Sequence, residues 1–400
     1  MTEGDNRQRR IRKFIHTMTW AVLIIASVMI LLPAPDQNAL VDFGSCWSAA
    51  RLLCRGENPY DHDGLVENER AAGWNLTEPV VPWNPPWALA IVIPFSVLSF
   101  RYAKWAWFII NSLLILILSD YWWKAYGGAP EYRMASWLAA LWFFPCIVAV
   151  YFGQMSLLVL SGVTGMAWSL KRGRGGWLGF FVLLASLKPH LLLPLWLFLI
   201  LWVVRRRSWR TLLWAGSGIA VAAAVVVWFR PEIFQDYFSA ASSAHGPVIW
   251  ATPTIGTALR VAFAGIPGWV VLLPSLCGIL ITLALWRKWA GGFTWEQHLD
   301  MILLISLATA SYAWIFDWAI LLPAAIRILV WFQLCPGQQW PALIGLMAVM
   351  SGFVTAQALG LFPLGVIWFP AGLTLVSVWA RRRQDWIVAA GMMPQMTQAS

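Results

Sequence analysis

Charged residues are scarce in this chain, and that shortage decides its broad class. Of its 400 residues, 12% are Asp, Glu, Lys or Arg, and 60% are hydrophobic. Soluble domains carry about 25% charged residues. The composition therefore excludes an ordinary soluble protein and predicts a polytopic membrane protein, with the lipid bilayer as its surroundings.

Cysteine is also rare, with five residues scattered along the chain. If Cys46 and Cys54 share one helix, they lie about 12 Å apart, which is too far for a disulfide. No Cys or His spacing matches a zinc site, so we expect no metal. The formal net charge of +10 comes from short basic clusters between apolar stretches, the pattern of membrane topology. We therefore expect no nucleic-acid partner.

Long apolar runs are what the chain has in abundance. The first, at 14–33, follows a basic segment without a small-residue cleavage site, so we interpret it as a retained helix rather than a signal peptide. The basic clusters then place both termini in the cytoplasm. Twelve spans are predicted, at 14–33, 104–123, 134–151, 155–170, 176–187, 190–204, 209–229, 268–287, 298–316, 318–333, 341–358 and 361–379.

These spans define one integral membrane domain at 1–388, followed by a disordered tail at 389–400. Its first extracytoplasmic loop, 34–103, is large and is predicted to carry amphipathic helices, and a second large loop covers 230–260. If every basic cluster is cytoplasmic, the number of spans between the clusters is restricted, and the segment 84–100 is left without a full membrane crossing. We interpret it as a re-entrant or interfacial helix broken at Pro94, with a full crossing of this segment as the alternative.

Polar residues from distant parts of the chain converge on the predicted outer side. Asp42 opens the first-loop helix, and an acid at a membrane surface is a candidate site. A base there would take a proton from a hydroxyl, cations would stabilise a departing phosphate, and aromatic rings such as Trp47 and Tyr60 could stack on a sugar. The other outer candidates are Gln154, Lys188, His245, Arg260 and Asp317.

Each candidate also has a simpler interpretation. Asp42 could be a helix N-cap, and Lys188 and Arg260 could extend to the membrane interface. His245 could be a solvated loop residue, and Gln154 and Asp317 could satisfy turn backbone. The run from Asp61 to Asp63 resembles a metal-binding motif, but capping of the next helix is the favoured interpretation. Arg327 falls inside a predicted span and requires a buried partner.

A set of motifs carries a resemblance to a known family. They are Asp42-Phe43, Ala49-Ala50, Gly56-Glu57-Asn58-Pro59-Tyr60-Asp61, Asn84-Pro85-Pro86, Gly153-Gln154, Lys188-Pro189, Thr254 through Arg260, and Ser311 through Trp314 to Asp317. In this order they resemble the GT-C membrane glycosyltransferases. Within these, the chain resembles glycosyltransferase family 87, the polyprenyl-phosphate-mannose-dependent α-1,2-mannosyltransferases, over roughly residues 10–330. Cys46-Trp47, Asn84 and Tyr312 depart from the family pattern.

The resemblance implies a GT-C fold and an enzyme of glycolipid or cell-envelope glycan biosynthesis. It implies Asp42 as the catalytic base, a polyprenyl-phosphate sugar as donor, mannose as its sugar, and inversion at the anomeric carbon. Lys188 and Arg260 would bind the donor phosphate, and Tyr60, Trp47, Gln154, His245 and Asp317 would contact substrate. The acceptor would be an extracytoplasmic glycolipid or glycan, and no cofactor is implied.

Two other functions fit parts of the sequence. A transporter or lipid flippase would place its polar groups near the bilayer midplane and often shows repeats with broken helices. Here the polar groups gather toward one side, without a clear repeat. An inactive glycolipid-binding scaffold of the same fold is the second alternative, since fold does not guarantee activity.

Overall fold

The computed structural model describes residues 40–74, 77–242, 251–263, 268–334, 336–361 and 363–389. The predicted first span at 14–33, His245 and residues 390–400 of the predicted tail lie outside the described residues. Within the described part every regular element is helical, in agreement with the predicted all-α class.

Seventeen α-helices follow one another in the described ranges, several of them entered through a short 3₁₀ segment. The α-helices are α1 Val41–Cys54, α2 His62–Ala71, α3 Leu89–Ser96, α4 Phe100–Ala125, α5 Arg133–Leu141, α6 Phe144–Phe152, α7 Ser156–Arg172, α8 Gly175–Ala185, α9 Leu193–Arg206, α10 Trp209–Phe229, α11 Ile233–Ser242, α12 Ile255–Ala262, α13 Leu273–Trp289, α14 Trp295–Ala308, α15 Leu322–Leu334, α16 Pro336–Ala358 and α17 Trp368–Ala389. The 3₁₀ segments are Pro86–Ala88, Pro130–Tyr132, Pro189–Leu192, Gly268–Leu272, Ile315–Leu321 and Leu364–Val366.

Six of the described helical segments are long and apolar enough to cross a membrane. They are Phe100–Ala125, Pro189–Arg206, Trp209–Phe229, Trp269–Trp289, Ile315–Leu334 and Leu364–Asp385. A bent pair, Pro130–Leu141 with Phe144–Phe152, makes a seventh if it counts as one span. These helices support a multi-pass membrane protein, and the total of twelve spans stays a prediction.

The clearest agreement is α10, which occupies the predicted span 209–229. Its 21 residues reach about 31 Å, close to the thickness of a bilayer core. Apolar side chains on it are exposed, including Leu213, Val221 and Trp228. An apolar helix with an apolar exposed surface is what lipid contact requires.

Two of the predicted spans, 134–151 and 298–316, are not single continuous helices. Residues 134–151 form α5 and α6, which meet at an angle of 57°, because Pro145 lacks the N–H that a continuous helix needs. Residues 298–316 do not form one helix either, since α14 ends at Ala308 and a 3₁₀ turn begins at Ile315. The irregular backbone between them contributes to the cavity described below.

The segment 84–100 is a short apolar helix. Pro86–Ala88 and α3 together cover 11 residues, about 16 Å, well short of the ~30 Å of a hydrocarbon core. The predicted break at Pro94 is wrong, because α3 continues through Pro94 to Ser96. Pro94 lacks the N–H that would donate to the carbonyl of Ala90, and α3 ends two residues later.

Helix α1 is enclosed by protein rather than amphipathic at a surface, which corrects the prediction for this part of the first loop. All side chains from Phe43 to Ala50 are buried. The Phe43 ring stacks on Trp107 with centroids 4.6 Å apart. Trp47 Nε1 lies 3.2 Å from both Phe95 O and Leu98 O. Helices α3 and α4 therefore hold α1 on several sides and fix the position of its first turn.

Glycines let helices α7, α8 and α10 approach one another closely. A Cβ on Gly162 of α7 would lie 2.2 Å from the backbone nitrogen of Ala185 at the end of α8. A Cβ on Gly218 of α10 would lie 2.0 Å from the carbonyl oxygen of Gly179 in α8. Small residues at such contacts let backbones meet, the usual way helices pack within a membrane.

A buried ion pair joins α14 to α15. Arg327 Nη1 lies 2.9 Å from Asp300 Oδ1, and both side chains are almost fully buried. The guanidinium also donates to the carbonyls of Glu296 and Gln297, each at 2.7 Å. The prediction that Arg327 needs a buried partner is confirmed, and the partner is Asp300.

Candidate active site

A cavity of about 580 Å³ lies where the irregular ends of several helices meet. Its wall combines a polar group of side chains with an apolar side that includes Phe144, Val148 and Phe152. The remaining described residues that line it are Asp42, Ser45, Cys46, Val80, Val81, Pro82, Trp83, Asn84, Gly153, Gln154, Met155, Leu187, Lys188, His190, Tyr312, Trp314, Ile315, Phe316 and Asp317.

Asp42 reaches this cavity from the first turn of α1. The helix is preceded by Leu40, whose backbone is left-handed with φ of 62° and whose N–H donates to Tyr151 O at 2.7 Å. No side chain caps α1, so the N-cap interpretation of Asp42 is wrong. Its Oδ2 instead accepts from Gln154 Nε2 at 2.6 Å. The N-terminal dipole of α1 favours the anionic form of this carboxyl.

Lys188 links Gln154 to Asp317 in a buried hydrogen-bond network. The Lys188 Nζ lies 2.7 Å from Gln154 Oε1, 2.6 Å from Asp317 Oδ1 and 3.3 Å from Ser156 Oγ. Ser156 in turn donates to Asp317 Oδ1 at 2.8 Å. Lys188 is 7% exposed and Asp317 is 1% exposed. Each charge is therefore compensated, as a buried charge requires.

The local fold explains how these groups are held. Asp317 Oδ2 accepts from the backbone N–H of Trp314 at 2.8 Å, which closes the turn that enters α15. Lys188 directly precedes the 3₁₀ turn Pro189–Leu192. Its ammonium lies 4.5 Å from the centre of the Phe316 ring, a cation–π contact. Lys188 and Asp317 are therefore both held by short turns of the backbone, and neither lies in the middle of an α-helix.

Gly153 sets the distance between Asp42 and Gln154. It ends α6 with φ of 71°, a conformation that favours glycine. A Cβ at this position would lie 2.6 Å from the Cβ of Phe43 and 2.8 Å from Cδ2 of Leu40. Helix α1 therefore packs directly on this turn, and only glycine allows so close an approach.

Substitution of Gly153 by Ala is expected to destabilise the protein by about 2–5 kcal/mol. A left-handed alanine costs about 1–2 kcal/mol, and overpacking a core costs about 1–3 kcal/mol more. Thermal unfolding in detergent measures the effect. Gly176→Ala is the matched control, since a Cβ there meets nothing within 4 Å. Equal stability of the two variants would contradict the packing argument.

The comparison with known proteins settles the family. A model of glycosyltransferase family 87 matches residues 83–310, more than half of the chain. The chain belongs to glycosyltransferase family 87. Neither the curated proteins nor the solved structures searched contain a match. The predicted resemblance is confirmed, and the family supports glycosyltransferase activity in a membrane protein.

The family 87 match includes three members of the polar network and leaves two outside. Gln154, Ser156 and Lys188 fall within 83–310, whereas Asp42 and Asp317 flank it on either side. The structure brings all five together, although Gln154 and Asp42 are 112 residues apart and Lys188 and Asp317 are 129 apart. Four of the residues that the sequence singled out therefore share one cavity.

Other residues singled out from the sequence lie elsewhere in this glycosyltransferase. Trp47, on α1, packs against the turn between α3 and α4. Tyr60 is buried against Tyr237, with ring centroids 5.5 Å apart. Neither is among the described residues that line the cavity. Arg260 lies on α12, outside the described lining. Thr254, at the start of α12, donates to Ser311 O at 3.3 Å, next to the cavity wall.

Several residues in or behind the cavity wall were not identified as site residues from the sequence. Ser156 bonds both members of the buried ion pair, yet a serine at the start of a helix carries no distinctive signal. Asn84 and Tyr312, which belong to the motifs of the resemblance and depart from its pattern, both line the cavity. Asn84 Nδ2 donates to Leu187 O at 3.0 Å. Asn84 thus holds the backbone beside Lys188.

Burial raises the pKa of two ionisable groups that line the cavity, Asp42 and Cys46. It raises the pKa of Asp42 to about 6, partly offset by the Gln154 hydrogen bond and the charge of Lys188. Asp42 is therefore mostly anionic at neutral pH and accepts a proton readily, as a general base must. Burial also raises the pKa of Cys46 to about 12, so that this thiol stays neutral and is not a nucleophile.

The acidic run after Tyr60 serves a helix. Asp61 is the N-cap of α2 and accepts from Gly64 N at 2.9 Å. This confirms capping as the interpretation of the run. Among the described residues, no group of three or more His, Cys, Asp or Glu side chains is placed to hold a metal ion.

Proposed function

We propose that the protein transfers a sugar, with mannose as the expected one, from a polyprenyl-phosphate donor to an extracytoplasmic glycolipid or glycan acceptor. The observation that carries the proposal is the Asp42 carboxylate, held by Gln154 at the wall of a cavity with polar and apolar sides. The polar side suits a sugar. The wall formed by Phe144, Val148 and Phe152 suits the first isoprene units of the donor.

The proposed step is a single displacement. Asp42 accepts the proton of an acceptor hydroxyl, and the acceptor oxygen forms a bond to the anomeric carbon of the donor sugar. The bond from that carbon to the phosphate oxygen breaks, and polyprenyl phosphate leaves with the electron pair. Because attack comes from the face opposite the leaving phosphate, the anomeric configuration is inverted.

The contacts of Lys188 support a role in positioning rather than in direct phosphate binding. A lysine ammonium has three N–H donors, and Lys188 has three acceptors in Gln154, Ser156 and Asp317. Its charge still favours an anion in the cavity, and its hydrogen bond orients the amide that holds Asp42. The direct phosphate ligand in this proposal is Arg260 on α12. Arg260 is outside the described cavity lining, and Thr254, the N-cap of its helix, donates to Ser311 O next to the cavity wall.

We further propose that the protein is a multi-pass protein of the cell membrane with its cavity on the extracytoplasmic side and both termini in the cytoplasm. Helix α7 begins at the cavity and ends at Lys171 and Arg172, and α9 ends at Arg205 and Arg206. The positive-inside rule assigns such basic ends to the cytoplasm. The opposite ends of the same helices then face outward.

Transfer of radiolabelled sugar by the purified protein in lipid tests this function. The donors are polyprenyl-phosphate mannose and its arabinose, galactose and glucose counterparts, each offered with a lipid extract as acceptor. We expect label to reach the acceptor from the mannose donor. Label transferred only from another donor would correct the sugar, and absence of transfer from every donor would contradict the proposal.

The rate of transfer is expected to depend on the ionisation of Asp42. Since its pKa is raised to about 6, the carboxyl is protonated below that pH and accepts no proton from the acceptor. Because this pKa belongs to the protein without substrate, kcat/KM should fall about tenfold per pH unit below about pH 6 and level off above it. Initial rates at donor concentrations well below KM, between about pH 4.5 and 8 and on protein shown to stay folded, measure this acidic fall in rate.

A neighbouring carboxyl provides the control for this pH profile. Burial raises the pKa of Glu69 to about 7. Glu69 accepts from the backbone of Val80, which lines the cavity, at 3.3 Å. Glu69→Gln should keep the acidic limb near pH 6, because Asp42 is unchanged. Disappearance of the limb in this variant would assign it to Glu69 instead.

A further inference from the structure

A second cavity lies at the other end of the helices that build the first. It has a volume of about 860 Å³ and is lined by the ends of α4, α7 and α9, the start of α14, and parts of α15 and α17. Helix α7 runs from Ser156 in the polar network to Lys171 in this wall, about 23 Å along the helix axis. The two cavities are therefore separate sites at opposite ends of one bundle.

The wall of this second cavity carries an excess of positive charge. Four basic residues line it against two acidic ones, Glu296 and Asp385. Lys171 pairs with Glu296 at 2.7 Å and Arg327 pairs with the buried Asp300. The other two cations, Arg206 and Arg381, have no ion pair of 4.0 Å or less with any described residue. Two guanidinium charges therefore have no ion-pair partner among the described residues, although Arg381 Nη2 donates to the carbonyl of Gln297 at 2.9 Å.

Unsatisfied donors border the same space. Trp295 is 5% exposed, and its Nε1 has no hydrogen-bond partner within the described ranges. Arg381 Nη1 and the hydroxyl of Tyr126 are also buried donors without a hydrogen-bond partner in these ranges. All three residues line the cavity. Buried donors without partners are costly, and a phosphate offers several acceptor oxygens to donors of this kind.

Aromatic rings complete the wall. The guanidinium of Arg206 lies 5.7 Å from the centre of the Trp202 ring, and Trp331 lines the cavity near Arg327. Tryptophan prefers the level of lipid headgroups, where arginine binds phosphate through paired hydrogen bonds. The combination matches a lipid whose phosphate lies among cations while its glycerol and upper acyl chains contact rings.

We propose that this cavity binds the phosphodiester headgroup of an anionic membrane lipid, with Arg206 and Arg381 as its charged contacts. The ligand is the lipid itself rather than a free phosphate, because the cavity opens among the basic helix ends that the positive-inside rule places at the cytoplasmic membrane surface. The proposal concerns the end of the bundle opposite Asp42 and is independent of the transfer reaction.

Binding of defined lipids to the purified full-length protein tests the proposal. Native mass spectrometry in detergent measures retention of phosphatidylglycerol, phosphatidylcholine and soluble glycerol phosphate. The double variant Arg206→Gln/Arg381→Gln should bind phosphatidylglycerol about 30-fold more weakly, given the usual contribution of two surface arginines. Arg206→Gln alone changes an exposed residue and should weaken binding about fivefold, which keeps the test open if the double variant misfolds.

The matched control is Arg210→Gln/Arg287→Gln. Both arginines are exposed near the basic ends of α10 and α13, and neither is among the described residues of the cavity wall. Unchanged phosphatidylglycerol binding in this control, with weak phosphatidylcholine binding, supports the proposal. If both double variants lost the same affinity for phosphatidylglycerol, the loss would come from general surface charge, and the proposed binding site would be overturned. Equally tight binding of glycerol phosphate would overturn the assignment to a lipid.

Discussion

Substitution of Asp42 by Asn is expected to lower kcat for sugar transfer by about 10²–10⁴-fold, the usual contribution of a general base. Asparagine keeps the shape of the side chain and retains a carbonyl oxygen for the hydrogen bond from Gln154, which in the native protein is 2.6 Å long. It accepts no proton at neutral pH. Folding and donor binding should therefore persist while the chemical step is lost. Initial rates at saturating donor, together with thermal unfolding, measure both effects.

The matched control for this variant is Asp63→Asn. Asp63 lies in the same predicted outer loop, in the first turn of α2, and is exposed. Its substitution should leave transfer unchanged. Full activity in Asp42→Asn that is well folded would exclude Asp42 as the base. An equal loss in both variants would indicate a general effect of removing negative charge from this loop.

Substitution of Lys188 by Met is expected to destabilise the protein by about 3–5 kcal/mol, because it leaves the Asp317 carboxylate buried without its cation. The 2.6 Å contact between Lys188 and Asp317 is almost fully enclosed. Lys188→Met/Asp317→Asn removes both charges and keeps a side-chain oxygen for the Trp314 N–H, so it should recover most of this loss. Its transfer activity should remain low, since Gln154 then loses the partner that orients its amide toward Asp42.

An exposed lysine pair of similar length provides the comparison. Lys124 and Asp120 are 2.7 Å apart, and the Lys124 side chain is 61% exposed. Lys124→Met should therefore cost about 0–1 kcal/mol. Thermal unfolding of all three variants in the same detergent decides the matter. If the double variant at the buried pair were no more stable than Lys188→Met, uncompensated burial of charge would not explain the loss.

Hydropathy predicted the membrane-facing helix α10 well, because the apolar character that lipid contact requires is carried by the residues of that helix alone. Helix α10 matches its predicted limits, since lipid contact requires a continuous apolar surface whatever the rest of the chain does. The run 134–151 was predicted as one span because it is almost entirely apolar, although Pro145 marked a place where a helix could break. Its break depends on how Pro145 is accommodated, and hydropathy does not report that.

The candidate site was predicted in part. Gln154, Lys188 and Asp317 were chosen for their motifs and their places at helix ends, and the structure groups them around Asp42. Ser156 has the same neighbours, but a serine that begins a helix is too common to identify from its sequence alone. What marks it is a contact with Asp317, 161 residues away.

Trp47 and Tyr60 show the reverse case. An aromatic residue in a loop is equally suited to a sugar platform and to a core, and the sequence does not distinguish them. The structure buries both, Trp47 at 3% exposed and Tyr60 at 4%. That choice depends on α3, α4 and α11, which come later in the chain and pack around α1 and the segment that follows it.

The ion pair between Lys188 and Asp317 also has a consequence for biosynthesis. The two residues are 129 positions apart, and ribosomes add about 5–20 residues per second, so that Lys188 waits for about 6–26 s before its partner is made. During that interval the nascent chain carries an ammonium group whose final environment does not yet exist. The polar network therefore cannot be completed until the turn at Asp317 has been synthesised, whichever helices have been inserted before it.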